Sequence, residues 1–440
     1  MCESICVRLV TFFCGLGFCF FAVQPGISAH LGQSAHLEIS ETEPIIERGF
    51  MLNDPNYAAN RLVYGERMDA LTARLIARQK EGGELACSDQ MLIEARWLLE
   101  HTTDWARLDA QLARLAESLN HTDQTFATLQ SPRDGAWGVC YNEWFHKLDA
   151  TVDGLNALAD NGEAPRYPLV FLRRIADRDS LLSYLEGLLV SDIERTGVDQ
   201  RDELGAVTGA LSQMLFKSYL RQLLDIDPQG FVVTDGYVDA YREFLDSWQE
   251  PSTGYWGAWY RTDSGLHKST DLSLTFHTVS YRRGDVERWP ELIDTTLAIK
   301  KLEYSYGWMH NGTYNHHNNY DVVKIFRYGW PQATGAQRER MRAELEAMLE
   351  WCFSMPMGSD NVFAIDPTFY SNAANYYYFG VSFLDEIGYW DRSRRFWTDR
   401  NFSGADALCQ TTKSRLTSLD LDSPASEAAM RKLEANCPAG

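Results

Sequence analysis

Apolar positions along this chain recur mostly at steps of three and four. Trp105, Leu108, Leu112, Leu115 and Leu119 form one such stripe. Met341, Leu345, Met348, Leu349 and Cys352 form another, with charged residues on the opposite face, the pattern a helix produces when one side is buried. Segments 67–80, 181–195 and 208–224 read the same way, whereas alternating patterns are scarce and Gly230-Phe231-Val232-Val233-Thr234 is the best candidate strand. The spacing predicts an all-α protein of many helices joined by short loops.

The pattern also repeats. Gly135-Ala136-Trp137-Gly138-Val139-Cys140-Tyr141 resembles Gly254-Tyr255-Trp256-Gly257-Ala258-Trp259-Tyr260 at an offset of 119 residues (256 − 137). Each copy is followed by a His-Lys pair, His146-Lys147 or His267-Lys268, and then by an apolar helical stretch, and a looser third copy begins at Gly307-Trp308. Coincidence between two turns rich in Gly and Trp is the alternative. Otherwise, helix, aromatic loop, helix units imply hairpins stacked around a common axis, because no single hairpin buries its stripe alone. An incomplete α/α toroid built this way would gather Trp137, Trp256, Trp259, Tyr260 and Trp308 at its mouth, with Arg261, His267 and Lys268 beside them. The chain is 12% aromatic with 13 Trp, so stacking on sugar faces is one use for these rings, and core packing accounts for the majority.

Residues 1–29 read as a cleaved secretory signal. Arg8 precedes the apolar segment Leu9 to Val23, and small residues follow at Ile27-Ser28-Ala29. The apolar run falls short of the ~20 residues a spanning helix needs, so the expectation is a secreted or periplasmic protein that does not engage the membrane once the signal is removed. Residues 30–403 read as one large domain, and 404–440 as a polar appendage with one short helix from about Ser426 to Ala435. Outside the signal stand Cys87, Cys140, Cys352, Cys409 and Cys437. An odd number leaves at least one thiol unpaired or intermolecular, and an oxidising compartment would allow a Cys409–Cys437 bridge. No CxxC or HExxH is present, so no metal and no cofactor is expected, and the chain is expected to act as a monomer. Its net charge of −20 makes nucleic acid and anionic membrane poor partners. The three sequons begin at Asn120, Asn311 and Asn401.

The segment Tyr314-Asn315-His316-His317-Asn318-Asn319-Tyr320-Asp321 carries the most chemistry. Imidazole, carboxamide and phenol groups bind oxygen atoms without bringing a permanent positive charge. The apolar run Val322-Val323-Lys324-Ile325-Phe326 that follows places the cluster where a loop enters a buried helix. A turn cluster is the plainer reading of an Asn-rich stretch.

Asn315-His316, with Tyr320-Asp321 after a short gap, resembles the Asn-Asn-His…Tyr-Asp motif of alginate lyases in the α/α-toroid polysaccharide lyase superfamily. Phe369-Tyr370-Ser371-Asn372 is similar to the segment carrying those enzymes' catalytic tyrosine, at a suitable separation of 54 residues (370 − 316). The likeness covers about residues 250–390. It implies β-elimination on an acidic, uronate-containing polysaccharide, with Tyr370 as acid and base and with Asn315, His316 and His317 neutralising the carboxylate. His277 is a second candidate imidazole, and Asn318, Asn319 and Tyr320 would contact substrate. Those lyases place an Arg shortly before the tyrosine, and Asn361 to Thr368 contains none, so Arg327, Arg261 or Lys268 would have to bind the carboxylate. Two rival readings exist. A glycoside hydrolase would need paired carboxylates, for which Glu143, Asp263, Asp271 and Asp321 are available, and a noncatalytic sugar-binding protein would use the Trp-rich mouth alone.

Overall fold

Helices α1 (Tyr57–Lys80), α2 (Ala86–His101) and α3 (Trp105–Ser118) open the computed structural model, which describes residues 56–224, 233–354, 362–363, 373–419, 421 and 423–437. The signal at 1–29, most of the candidate strand at 230–234, and Phe369 to Asn372 with Tyr370 lie outside the described residues. The described chain is mostly helical, as the stripes predict, and it packs as two compact units. The first runs to Ser247 and includes 257–269, and the second comprises 248–256 and the chain from Thr270 onward.

In the first unit, Asp104 starts α3 by accepting a hydrogen bond from the Arg107 N–H (3.0 Å), which satisfies one of the donors a helix start leaves orphaned. Leu108, Leu112, Leu115 and Leu119 are all buried and pack this helix on α2 and α1. Helix α4 (Trp144–Asn161) follows the first aromatic loop and is joined through it to the start of α2 by the Cys87–Cys140 disulfide. Next come α5 (Arg178–Leu188), strand β1 (Val190–Ser191), the short α6 (Ile193–Thr196), α7 (Arg201–Phe216), α8 (Ser218–Leu224) and α9 (Asp235–Trp248). Helix α7 packs against α4, α5 and α8.

The second aromatic loop departs from expectation. Residues Trp259–Thr262 and Gly265–Lys268 form an antiparallel ribbon, β2 and β3, with Tyr260 opposite His267 and Trp259 opposite Lys268, and β2 pairs in parallel with β1. Three aromatic and β-branched residues in the four-residue β2, with a two-residue turn at Asp263-Ser264, suffice for this ribbon.

In the second unit, α10 (Leu272–Tyr281), α11 (Trp289–Ala298), α12 (His316–Gly329), α13 (Gly335–Cys352) and α14 (Ala373–Glu386) follow one another. Helix α12 lies among the other four, and Val322, Val323, Ile325 and Phe326 on it are fully buried. Beyond residue 404 the structure holds two helices where one was expected, α15 (Ala405–Ser418) and α16 (Pro424–Asn436). The Cys409–Cys437 disulfide ties α15 to the residue after α16, and α16 packs on α14. Cys352 is the buried free thiol among the described cysteines.

The sequence echo is a structural repeat. In the first unit, Gln130 Nε2 donates to the carbonyls of Gly135 (2.9 Å) and Tyr167 (2.7 Å), the Ser131 N–H donates to Ala136 O (2.8 Å), and the Trp137 N–H donates to Thr151 Oγ1 on α4 (3.1 Å). In the second unit, Gln249 Nε2 donates to the carbonyls of Gly254 and Glu287 (both 2.9 Å). The Glu250 N–H donates to Tyr255 O (2.9 Å), and the Trp256 N–H donates to Thr275 Oγ1 on α10 (3.2 Å). Both loops turn on a left-handed glycine, Gly135 at φ 78° and Gly254 at φ 69°. A Cβ at Gly135 would meet Pro168 O at 1.9 Å, and one at Gly254 would meet the Leu292 N at 2.6 Å, so no other residue fits. The third copy keeps only the turn, with the Gly307 N–H donating to Glu303 O (2.8 Å).

Gln249 is buried, and truncating it would leave two loop carbonyls without their donor. Gln249→Ala should therefore destabilise the protein by about 2 kcal/mol or more, and Gln130→Ala, at a half-buried position, by less. Urea denaturation of both variants checks the order.

Candidate functional site

Asn315 sets the start of α12. Its side chain accepts from the Asn318 N–H (2.9 Å) and its carbonyl accepts from the Asn319 N–H (3.0 Å). Unlike an ordinary cap, this one is buried, as are His316, Asn318, Asn319 and Asp321, all at 0–1% exposure. The sequence predicted a cluster where a loop enters a buried helix, and the cluster stands on the helix's first two turns.

The two histidines differ. His316 is enclosed by the rings of Trp351 (4.9 Å between centroids), Phe363 (5.8 Å), Tyr376 (5.8 Å) and Phe383 (6.3 Å). His317 is half-buried, edge-on to Tyr304 (5.0 Å) and Phe379 (4.5 Å), and is the more accessible of the two. Asn318 fixes its tautomer. The Asn318 Nδ2 donates to Trp308 O (2.7 Å), so Oδ1 is the atom facing His317 Nδ1 (3.1 Å). Nδ1 then carries the hydrogen and Nε2 the lone pair. Burial lowers the His317 pKa to about 4, with the Asn318 contact opposing, so the imidazole is neutral at physiological pH.

Asp321, one turn on, accepts from the Tyr304 hydroxyl at Oδ2 (3.1 Å), and burial pushes its carboxyl well above the ordinary range. Its Oδ1, the Asn315 Nδ2, the Trp308 Nε1 and both amide atoms of Asn319 are buried without a hydrogen-bond partner among the described residues. Unpartnered buried polar atoms are rare in folded proteins, and here five belong to α12, its cap and the loop before it. They stand at the positive end of the helix dipole as a buried group of three N–H donors and two oxygens.

Other candidates are held elsewhere. Tyr320 is buried against Phe276 (5.6 Å), its hydroxyl accepting from Lys324 Nζ (2.8 Å). Burial raises its pKa, and Glu386 and Asp321 add to the rise. Tyr314 donates to Glu344 (3.2 Å). Half-buried His277 stacks on Tyr281 (5.6 Å, 21°). Arg327 is engaged by Glu386, donating to its carbonyl (2.5 Å) and lying 3.4 Å from its carboxylate, so its charge is already neutralised.

The expected aromatic mouth divides. Trp256 and Trp308 are fully buried in the second unit and offer no face for stacking. Trp259, Tyr260, Arg261, His267 and Lys268 belong to the first unit. There Tyr260 is buried with its hydroxyl 3.4 Å from Asp199, Lys268 Nζ lies 5.3 Å over half-buried Trp259, and His267 pairs with Ser264 (2.9 Å). Arg261 is 3.8 Å from Asp192. None of the four candidate carboxylates pairs with another. Glu143 is bound by Arg107, Asp271 caps α10 through the Leu274 N–H, Asp263 sits in the ribbon's turn, and Asp321 accepts from Tyr304 with its carboxyl pushed up by burial. Among the described residues no group of three or more His, Cys, Asp or Glu stands close enough to hold a metal ion, and no helix is long and apolar enough to cross a membrane.

Tyr304 was missed by sequence reasoning. It reaches both His317 and Asp321 from a loop that shares no periodicity with α12, so no spacing signal marks it. Compared with family models, with curated proteins and with solved structures, the chain matches none of them.

A neutral His317 in the fold has a linkage consequence. Its folded pKa of about 4 lies below the ~6.5 of an unfolded histidine, so between these values the unfolded chain binds more protons. The stability contributed by burying it is complete above about pH 6.5 and is lost as pH falls toward 4. A folded His317→Gln variant should lack this component, so the wild-type stability relative to it should decline from pH 7 to pH 4.5. Urea titrations at several pH values measure the difference.

Proposed function

We propose that this protein is a polysaccharide lyase that cleaves a uronate-containing polysaccharide by β-elimination. The observation carrying the reading is the buried start of α12, where a neutral His317 and Asp321, its carboxyl pushed well above the ordinary range by burial, both meet Tyr304, and where both amide atoms of Asn319 have no partner among the described residues. Elimination removes the weakly acidic proton at C5 of a uronate, forms the C4–C5 double bond, breaks the bond from C4 to the glycosidic oxygen, and returns a proton to that oxygen. Its obstacle is negative charge accumulating on a carboxylate that is already charged. Neutral donors in a water-poor setting stabilise that charge, and the amides of Asn315 and Asn319 and the dipole of α12 are of this kind.

The resemblance around Asn315-His316 and Tyr370 supplies the remaining roles. Tyr370, just upstream of α14 in sequence, is proposed as the acid toward the leaving oxygen, and Tyr370 or His317 Nε2 as the base. Within this reading the helices form the proposed α/α toroid, the repeated frame of Gln130 and Gln249 being the kind of unit that stacks around an axis. The two disulfides fit a secreted or periplasmic protein. Burial of Trp256, Trp308 and Tyr260 weighs against a noncatalytic binder built on those rings, and the separate commitments of Glu143, Asp263, Asp271 and Asp321 weigh against hydrolysis.

Incubation with alginate, glucuronan and glycosaminoglycans, following ultraviolet absorbance alongside reducing ends, tests the reaction. Both signals should rise together on one of these polymers, and reducing ends without absorbance would indicate hydrolysis. Tyr370→Phe should remain folded and lose ~10²-fold or more in turnover. Asn319→Ala should lower kcat more than it raises KM, by up to ~10²-fold. Unaltered rates in both folded variants would remove these residues from the mechanism.

A further inference from the structure

A second feature of the second unit has no role in this chemistry. Trp330, Arg338, Arg342, Arg395, Phe396, Trp397, Thr398 and Asp399 line a pocket of about 470 Å³, within the ~300–1,000 Å³ span of ligand sites. Arg338 and Arg342 are one turn apart on α13 and share a face. Their guanidinium carbons lie 5.7 and 5.8 Å from the centre of the Trp330 ring, which Phe396 meets edge-on at 5.3 Å.

The protein anchors these three arginines without neutralising them. Arg338 donates from Nε to Trp330 O (3.0 Å) and from Nη2 to Pro331 O (3.1 Å), and Arg342 donates from Nε to Trp397 O (2.9 Å). Arg395 donates to the carbonyls of Gly388 (2.9 Å), Tyr389 (3.1 Å) and Arg400 (2.6 Å). Among the described residues none of the three forms an ion pair, while neighbouring Arg394 is bound by Asp385 and Arg400 lies 3.8 Å from Glu346. Burial lowers the Arg395 pKa, and the like charges of Arg392 and Arg400 add to the fall, with Asp391 opposing. Asp399 is the one carboxylate in the lining.

Like charges one turn apart repel, and in a chain of net charge −20 carboxylates to pair them are plentiful. Carbonyl anchoring of Nε holds the Arg342 fork in place and leaves both of its terminal nitrogens for another acceptor, the geometry that suits a planar carboxylate. Because the forks are fixed in advance, little ordering remains to oppose binding. From this geometry we infer that the pocket of Arg338, Arg342 and Arg395 is a binding site for the carboxylates of an acidic oligosaccharide, separate from the start of α12. The anion specificity follows from the arginines, whereas the choice of a carboxylated sugar rests on the lyase reading.

Hydrogen–deuterium exchange on the full chain tests it site by site, with an alginate tetramer as probe and cellotetraose as the neutral control. The acidic tetramer should protect amides in 330–342 and 395–399, cellotetraose should not, and the protection should weaken as salt screens the charges. Arg342→Glu, at an exposed position, should raise the half-saturating concentration about tenfold or more, and Arg338→Gln should shift it in the same direction. Absence of protection in these segments, equal protection by cellotetraose, or an unchanged Arg342→Glu response in a folded protein would each overturn the inference. Elimination without protection here removes this pocket and leaves the lyase reading standing. Protection with no elimination on any polymer keeps the pocket and removes that reading.

Discussion

Burying the start of α12 is the constraint on which the second unit depends. A helix begins with orphaned N–H groups and a positive dipole end, and most proteins leave that end in water. Here the first two turns are enclosed by neighbouring helices and loops, and they carry polar side chains, so each group must be partnered or neutral. Asn315 caps the helix from within, and Asn318 uses its amide to hold both Trp308 and His317. Charge is suppressed as well, burial depressing the His317 imidazole and raising the Asp321 carboxyl. The amide of Asn319, unpartnered among the described residues, is a stability cost that an apolar residue would avoid. Local departures of this kind concentrate at functional sites.

Aromatic rings complete the enclosure and divide the labour between adjacent histidines. Successive residues on a helix point about 100° apart, so one imidazole turns into the cage of Trp351, Phe363, Tyr376 and Phe383 while the next faces Tyr304 and Phe379. That geometry encloses His316 and leaves His317 the more accessible of the two, a difference their adjacency in sequence leaves open.

Features with a strong local signal were legible in the sequence. The Leu108 to Leu119 stripe gave α3, the polar cluster before Val322 gave the buried start of α12, and the expected oxidising compartment allowed a Cys409–Cys437 bridge. Helix α15 was not visible because its buried face, Ala405, Cys409, Thr412 and Leu416, has helical spacing but only one large aliphatic residue. The β2–β3 ribbon was hidden by its aromatic content, which suits an exposed loop as readily as a strand. The Asn/His cluster was legible as a group, but its partners were not. Tyr304, Trp351 and Phe379 come to it through tertiary packing, and the commitment of Arg327 to Glu386 depends on a residue 59 positions away.

The repeated frame has one property that its hydrogen bonds alone do not announce. From the tryptophan N–H to the threonine hydroxyl that receives it, the chain travels 14 residues in the first copy and 19 in the second, yet the anchoring bonds are the same. The glutamine, the left-handed glycine and the threonine thus act as fixed posts, and the chain strung between them is free to lengthen. In the second copy the added length is spent on a ribbon. Such a scaffold lets evolution rewrite the span between aromatic turn and helix by insertion, with the glutamine-bridged carbonyls of the posts undisturbed. Diversification among proteins sharing this frame should therefore be found in the length and chemistry of that span.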